Sequence, residues 1–439
     1  MKKLSLQLLS LFVFTLFCST LYAQPSKLIR AKEFYKAQQF ESVLSLLSTD
    51  RDLMKSYPEA QFLTGLAYYQ VNNLTESERI LKDLANRNAP YKEGLLYLGR
   101  IYHARNQFEE ASRYYKIYLK SIDSKHQHRA MVRDAIRRCS NGIRIQFNQP
   151  IAFAENLGAT INTKHDEFGI NLSPNFNNKI YFSSARAGSL GGKRNKYGQT
   201  DDLLGKYTCD IYLANKVGGK WQNIQAMTYL INTPKEEVVF GFSNDGKVLY
   251  YYRGSALERG QIFVDTFQQN NQLLKTDPFF GPVDPQAHIT APHFFDATTI
   301  VFSSRKAGGF GGYDLYQTTF IHGKWTPPKN LGPDINSAYD EVSPFLSADR
   351  KTLYFSTNNS KTSIGGFDIF KSIFNPQQVR WSRPYNLGIP INSAGDDTHL
   401  KLAKDGYTAY FTSNRKDGYG MRDLYVVYFF DYLNEIKPN

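Results

Sequence analysis

The sequence predicts an α + β multidomain protein in which an N-terminal α-helical solenoid precedes a five-bladed β-propeller. Helical periodicity with few glycines runs from about residue 25 to residue 141. After Gly142, short aromatic and β-branched runs recur five times between Gly, Asn, Asp and Pro, which is typical of an all-β repeat. We therefore predict a signal peptide at 1–23, a helical domain at 24–142, a propeller at 143–432 and a tail at 433–439.

The first residues have the charged, apolar and small-residue segments of a secretory signal peptide, with cleavage expected after Ala23. The alternative is a lipid anchor at Cys18, but Phe17 stands where signal peptidase requires a small residue. No later stretch is apolar for long enough to span a bilayer, so we expect no transmembrane segment in the mature chain. The expected location is the periplasm or the periphery of the outer membrane.

A repeat of 34 residues organises the helical region. Gly65-Leu66-Ala67-Tyr68 aligns with Gly99-Arg100-Ile101-Tyr102, and Leu47, Leu81 and Tyr115 recur at the same spacing in the partner helices. The pattern resembles the tetratricopeptide repeat (TPR), in which a small residue lets paired helices approach and an aromatic side chain fills the groove between repeats. Such a solenoid usually presents a concave groove to a peptide or helix of a partner protein.

Two sets of strand-like runs mark the β repeats. The first set has an apolar and aromatic centre: IYFSS (180–184), VLYYY (248–252), IVFSS (300–304), LYFST (353–357) and AYFTS (409–413). The second set has a polar residue before two apolar ones: DIY (210–212), QIF (261–263), DLY (314–316), DIF (368–370) and DLY (423–425). The second set recurs at 51, 53, 54 and 55 residues, which predicts five propeller blades of about four strands each.

An unmatched strand at the start of the β region predicts how the ring closes. The last repeat lacks an outer strand, whereas the run PIAFAENLG (150–158) precedes the first repeat. We predict that this N-terminal strand completes the last blade, because closure removes a free sheet edge.

The β repeats resemble the WD-like, TolB-related propeller repeats of Bacteroidota envelope proteins. The resemblance rests on NLGPDINSAYDEVSPFLSADRKTLYFSTN (330–358) and GGFDIFKS (365–372), and in domain order it extends from about residue 28 to residue 430. In that family the propeller commonly follows TPRs and precedes an OmpA-like peptidoglycan-binding domain. One such protein belongs to the periplasmic part of the type IX secretion and gliding machinery. No OmpA-like domain follows here, so the resemblance does not imply peptidoglycan anchoring.

Paired acids follow an I-N-[ST] motif in four of the repeats. The pairs are Asp166 and Glu167, Glu236 and Glu237, Asp340 and Glu341, and Asp396 and Asp397. Each pair precedes an expected innermost strand, where the acids can join blades by accepting hydrogen bonds from loop amides. An acidic channel mouth that binds a cation or a basic ligand is a second interpretation, and catalysis is a third. The four copies favour a structural joint between blades, since a catalytic pair of acids has to differ chemically from the other pairs.

A second recurrent acid is expected to cap the glycine-rich turns, with help from Arg186, Arg305 or Arg415 of the preceding hairpin. This acid is found as Asp210, Asp314, Asp368 and Asp423. The sequence has no hydrolase elbow, zinc-protease motif or phosphate-binding glycine loop. We therefore expect no catalytic residue, no cofactor and no metal ligand.

The segment 187–208 is the clearest irregularity of the repeats. It raises the spacing between the first two central runs to 68 residues, against 52–56 elsewhere. A propeller does not need this loop for closure, so Lys193, Arg194, Lys196 and Tyr197 form a candidate contact surface for an acidic partner. The alternative, which stays open, is that this segment is a flexible insertion that the fold tolerates and that contacts no partner.

The formal net charge of +13 is concentrated in the helical region, where residues 24–149 hold 21 Lys and Arg against 13 Asp and Glu. For an exported protein, this charge favours envelope proteins, acidic protein surfaces or cell-wall polymers as partners, and not nucleic acid. The sequence thus predicts a non-catalytic envelope scaffold, accessory to type IX secretion or gliding by resemblance. A cation- or glycan-binding sensor and a propeller hydrolase are the alternatives.

Overall fold

The computed structural model describes residues 25–87, 91–195, 197, 199–201, 206–243, 245–257, 259–267, 273–283 and 291–431. The predicted signal peptide, Cys18 and the tail at 433–439 lie outside these residues. Contacts divide the chain into two compact units, Met1–Tyr91 and Lys92–Asn439. This division falls earlier than the predicted boundary at 142, because the last three helices belong to the same unit as the propeller. Within the described ranges, no helix has both the length and the apolar character to cross a membrane.

Five described helices build the first unit. They are α1 (Ser26–Lys36), α2 (Phe40–Leu47), α3 (Arg51–Ser56), α4 (Pro58–Gln70) and α5 (Leu74–Asn86). A close approach joins α4 to α5, since a Cβ atom added to Gly65 would lie 3.0 Å from the Leu81 side chain. Side chains of Asp50 and Asn73 accept backbone N–H groups at the starts of α3 and α5.

Three helices begin the second unit: α6 (Glu93–Ala104), α7 (Phe108–Ser121) and α8 (Arg129–Ile145). A Cβ atom at Gly99 would lie 2.5 Å from the Tyr115 ring, and one at Gly142 would lie 2.5 Å from the Phe108 ring. Glycine therefore lets α6 approach α7 and lets α8 approach α7. The Gly99 and Tyr115 pair follows the Gly65 and Leu81 pair by the same 34 positions that the sequence repeat shows.

The rest of the second unit is a five-bladed β-propeller. Blade 1 contains β2 (Glu167–Leu172), β3 (Lys179–Ser184), β6 (Asp210–Val217) and β7 (Lys220–Ala226), with a ribbon of β4 (Lys193–Arg194) and β5 (Lys206–Tyr207) between β3 and β6. Blade 2 contains β8 (Glu236–Phe242), β9 (Val248–Ala256), β10 (Arg259–Phe267) and β11 (Leu273–Pro278). Blade 3 contains β12 (His293–Asp296), β13 (Thr299–Ser304), β14 (Asp314–Ile321), β15 (Lys324–Trp325) and β16 (Lys329–Asn330).

The last two blades complete the ring. Blade 4 contains β17 (Glu341–Leu346), β18 (Thr352–Thr357), β19 (Asp368–Asn375), β20 (Arg380–Trp381) and β21 (Tyr385–Asn386). Blade 5 contains β22 (Asp397–Leu402), β23 (Thr408–Ser413) and β24 (Asp423–Phe429), followed by β1 (Ala152–Asn156). The first strands of the blades contact one another in the closed series β2, β8, β12, β17 and β22, so they are the innermost strands, as predicted.

The first strand of the propeller closes the last blade. β1 pairs antiparallel with β24, in a register that runs from Ala152 opposite Phe429 to Asn156 opposite Tyr425. This confirms the prediction that the N-terminal strand completes blade 5 and leaves no free edge on β24.

Candidate functional site

The second acid of each pair is buried at the start of an innermost strand. Glu341 accepts hydrogen bonds from the Ser337 N–H (2.9 Å), the Ser337 hydroxyl (2.6 Å) and the Thr357 hydroxyl (2.9 Å). The equivalent Glu167, Glu237 and Asp397 accept from the backbone N–H and the hydroxyl of the Ser or Thr in their own I-N-[ST] motifs. Each carboxylate therefore folds the preceding loop back onto its strand.

Arginines on or just after the second strand of the same blade approach three of these buried acids. Guanidinium-to-carboxylate distances are 3.6 Å for Arg186 and Glu167, 3.3 Å for Arg253 and Glu237, and 2.8 Å for Arg415 and Asp397. Burial raises the pKa of Glu237 to about 7, although the Thr233 hydrogen bonds and the arginine lower it. The assignment of Arg186 and Arg415 to the turn-capping aspartates was wrong, because both arginines pair with the innermost-strand acids.

The first acid of each pair joins its blade to the preceding one. Asp340 accepts from the Tyr313 N–H (2.9 Å) and Asp396 accepts from the Phe367 N–H (3.0 Å). The Cys209 N–H donates to Glu236 at 2.7 Å. Asp166 joins blade 1 to blade 5 through a two-point ion pair with Arg422, in which both N–O distances are 2.7 Å. These four acids thus form joints between successive blades.

The eight acids act in local hydrogen-bond networks, four within a blade and four between blades. No group of three or more His, Cys, Asp or Glu side chains among the described residues has an arrangement that holds a metal ion. The acidic channel mouth stays a prediction.

The second recurrent acid caps its turn, as the sequence predicted. Asp368 accepts from the Ile364 N–H (2.7 Å), the Gly365 N–H (2.9 Å) and the Asn386 side-chain amide (2.6 Å). Asp314 and Asp423 likewise accept from a turn N–H and from an Asn side chain, whereas Asp210 accepts from the Leu190 N–H. Burial raises the pKa of Asp368 to about 7 and that of Asp210 to about 6.

The candidate contact loop contains the ribbon of β4 and β5. Lys193 pairs with Tyr207 across the ribbon, and its Nζ lies 5.5 Å from the centre of the Tyr207 ring. Lys193 and Arg194 are half-buried, whereas Tyr197 is 67% exposed. Lys196 lies outside the described residues. The ribbon orders the base of this segment, and Tyr197 beyond it is exposed.

Helices α6 and α8 dock on the 358–364 loop of blade 4, a contact that the sequence did not predict. His103 Nε2 donates to the Ile364 carbonyl (2.7 Å), and the Asn141 amide donates to the Ser360 and Ser363 carbonyls (3.1 and 2.9 Å). His103 and Asn141 are buried, and burial lowers the pKa of His103 to about 4. The sequence does carry a signal of this contact, because His103 and Asn141 are polar residues on the packed faces of amphipathic helices.

Further contacts surround this junction. Arg138 donates to the Asn358 carbonyl (3.1 Å), and the Ser360 hydroxyl donates to Asp134 (3.0 Å). Ile389, in the connection between blades 4 and 5, packs against the apolar cluster of α6–α8. The 358–364 loop and the connection that contains Ile389 lie at the same end of the propeller, which we call the helix-bearing end. This end comprises the connections between the second and third strands of each blade and the connections between blades.

The helix-bearing end exposes large side chains on several other loops. Tyr229 is 80% exposed, Tyr419 is 52% exposed and Phe310 is 49% exposed. Exposed aromatic residues on loops held by a rigid scaffold are typical of surfaces that bind other proteins. The helix-bearing end is therefore our candidate functional site.

Comparisons with known proteins find weak similarity to solved structures and nothing closer. No family model matches the chain, and no curated protein matches it. The putative TolB from Agrobacterium tumefaciens is 13% identical with a TM-score of 0.34, over 63% of this chain and 96% of that chain. TolB from Acinetobacter baumannii is 12% identical with a TM-score of 0.31, over 67% of this chain and 58% of that chain. Such low values say nothing about activity, and the blade count comes from the sheets themselves.

Proposed function

We propose that the protein is a non-catalytic scaffold that binds protein partners at the helix-bearing end of its propeller. The supporting observation is the junction of α6 and α8 with blade 4, in which buried polar groups of the helices bond directly to loop carbonyls. Buried, directional contacts of this kind favour a single fixed geometry. Helices and neighbouring loops then present one composite surface to a partner.

The helical repeats add a second binding element to this proposal. The small-residue contacts at Gly65 and Gly99 and their 34-residue spacing support a TPR-like solenoid. In such a solenoid the groove holds a peptide or helix of one partner, while the propeller loops hold another.

The cellular role within the proposal rests on the resemblance of the repeats to Bacteroidota envelope proteins. The proposed location is the periplasm or the periphery of the outer membrane, and the proposed role is accessory to type IX secretion or gliding. Envelope proteins are the proposed partners, and the basic helical region suits an acidic protein surface or a cell-wall polymer.

Site-specific photo-crosslinking in intact cells tests the proposal. A photoreactive phenylalanine replaces Tyr229 or Tyr197 at the helix-bearing end, and Val379 serves as the control. Val379 is 77% exposed and lies between β19 and β20, at the opposite end of the propeller. We expect a discrete protein adduct from Tyr229 or Tyr197 that is absent from Val379. Absence of adducts at all three positions, or the same adducts at all three, contradicts a scaffold that uses this end.

A further inference from the structure

One position of the innermost strands forms a layer around the propeller axis. In register, Asn171 lies opposite Tyr181, Gly241 opposite Tyr250, His293 opposite Val301, Phe345 opposite Tyr354 and Lys401 opposite Tyr410. Each blade therefore contributes one residue at the same height. We call these five residues, Asn171, Gly241, His293, Phe345 and Lys401, the axial layer.

Contacts between blades show that members of the axial layer face one another. The ring centroids of His293 and Phe345 are 4.8 Å apart, and Lys401 Nζ lies 5.5 Å from the centre of the Phe345 ring. A Cβ atom added to Gly241 would lie 3.5 Å from Asn171 Oδ1. Four members lie one residue before the end of their innermost strand, and His293 lies on the short β12 just before its hairpin, so the layer is close to the end opposite the helix-bearing end.

Lys401 is the unusual member of the layer. Lys401 is only 8% exposed, and its ammonium makes no hydrogen bond or ion pair with any described residue, so desolvation alone shifts its pKa. The ammonium faces the Phe345 ring, and a ring face neutralises only part of a desolvated charge. A lysine held in this way lacks the counter-charge that buried ammonium groups usually have.

The other members of the layer supply no negative charge. His293 Nε2 donates to the Leu346 carbonyl at 3.2 Å, and burial lowers the pKa of this histidine, so it stays neutral at pH 7. The Asn171 amide donates to the Gly169 carbonyl at 2.9 Å. Burial also lowers the pKa of Lys401 to about 8, at which most of the amine is still protonated at pH 7. The axial layer thus has one positive charge and no acid.

We propose that the axial layer binds a small oxyanion, a carboxylate or phosphate group, whose oxygen accepts a hydrogen bond from the Lys401 ammonium. A charge-assisted hydrogen bond of this type is short and strong where water is excluded. The single charge and the apolar Phe345 wall fit one compact anionic group and not an extended polyanion. This site is independent of the proposed scaffold surface, because it lies near the other end of the propeller.

Thermal unfolding of the full chain tests the site, with phosphate and succinate titrated separately against chloride at equal ionic strength. We expect a saturable rise in Tm with at least one of the two anions, and the stronger effect identifies the source of the oxyanion. Lys401→Met should weaken the binding at least tenfold. Lys371→Met is the matched control, since Lys371 is 1% exposed and burial lowers its pKa to about 8, but it lies on β19 outside the layer.

Two variants keep the test decisive if Lys401→Met does not fold. Lys401→Arg retains the positive charge and should retain binding, whereas Lys401→Gln removes the charge and should lose it. Equal anion affinity in the wild type and in Lys401→Met or Lys401→Gln overturns the proposal. The absence of any rise above chloride in the wild type overturns it as well.

Discussion

Arg422 lies 3.7 Å above the centre of the Phe168 ring while its guanidinium holds both oxygens of Asp166. Arg422 precedes the last strand of the chain's final blade, and both partners belong to the first blade. One side chain therefore combines a bidentate ion pair with a cation–π contact at the seam of the ring.

Asp166→Ala should destabilise the propeller strongly, because it leaves the largely buried Arg422 guanidinium without its counter-charge. We expect a loss of about 3 kcal/mol in the free energy of unfolding, measured by urea denaturation. Arg380→Ala is the control, since Arg380 and Asp334 form an ion pair with side chains that are 59% and 35% exposed. The control should lose less than about 1 kcal/mol. A similar loss in both variants contradicts a special role for the seam.

Glu341→Ala should lower stability because it leaves the Ser337 N–H and the Thr357 hydroxyl without their shared acceptor. We expect a loss of about 2–3 kcal/mol, and a similar loss for Asp397→Ala in the next blade. Calcium provides the second arm of this experiment. If the acids serve as joints, calcium leaves the Tm of the wild type unchanged; a calcium-dependent rise that Glu341→Ala abolishes supports the acidic mouth instead.

Asn141→Ala should loosen the helices from the propeller, since two loop carbonyls lose a buried amide donor. We expect a loss of about 2 kcal/mol and faster hydrogen exchange in the 358–364 loop, followed by mass spectrometry. Arg137→Ala on the same helix is the control, because the Arg137 side chain is 57% exposed and forms an ion pair with Asp134 on the helix surface. Unchanged exchange in Asn141→Ala contradicts the assignment of this residue to the junction.

Asp210→Asn should change the pH dependence of stability. Burial raises the pKa of Asp210 to about 6, so its contribution is fully present below its unfolded pKa of about 4 and is lost as pH rises through 6. The asparagine does not titrate and keeps an oxygen for the Leu190 N–H. Between pH 4.5 and pH 7.5, the variant should therefore gain about 1–2 kcal/mol relative to the wild type.

Asp245→Asn gives the opposite sign and serves as the control for that experiment. Hydrogen bonds from Ser243 and from the Lys247 N–H hold the pKa of Asp245 below its ordinary value. Its contribution is present above the unfolded pKa and is lost as pH falls, so the variant should lose stability relative to the wild type at higher pH. Urea midpoints at the two pH values measure both effects; the same sign for both variants contradicts the assignment.

Repetition made the propeller predictable. Five copies of a strand pair and one unmatched strand determine blade number and closure, because each blade must bury both faces against its neighbours. The roles of Asp368 and its equivalents were also predictable, since an acid beside a glycine-rich turn has few other donors within reach. The partners of Arg186 and Arg415 were not, because two acids per blade lie within reach of each arginine and only three-dimensional geometry chooses between them.

The docking of the helices was hidden for a different reason. His103 and Asn141 lie on helix faces that the apolar periodicity predicts to be buried. Periodicity does not reveal which other part of the protein packs against such a face. Lys401 was hidden because THLKL reads as an alternating strand with its lysine in solvent. Only the register of five innermost strands brings that lysine to the axis.

Closure by β1 also sets an order of events in folding. Ala152–Asn156 is made before any blade, yet its partner strand is Asp423–Phe429, so the closing strand has to wait while nearly the whole propeller is synthesised. The ring is sealed by its most distant pairing in sequence, and such pairings form slowly because a long loop must close first. Until then, β1 and the outer side of β24 are unpaired strand edges, and any factor that binds the nascent chain meets an open ring.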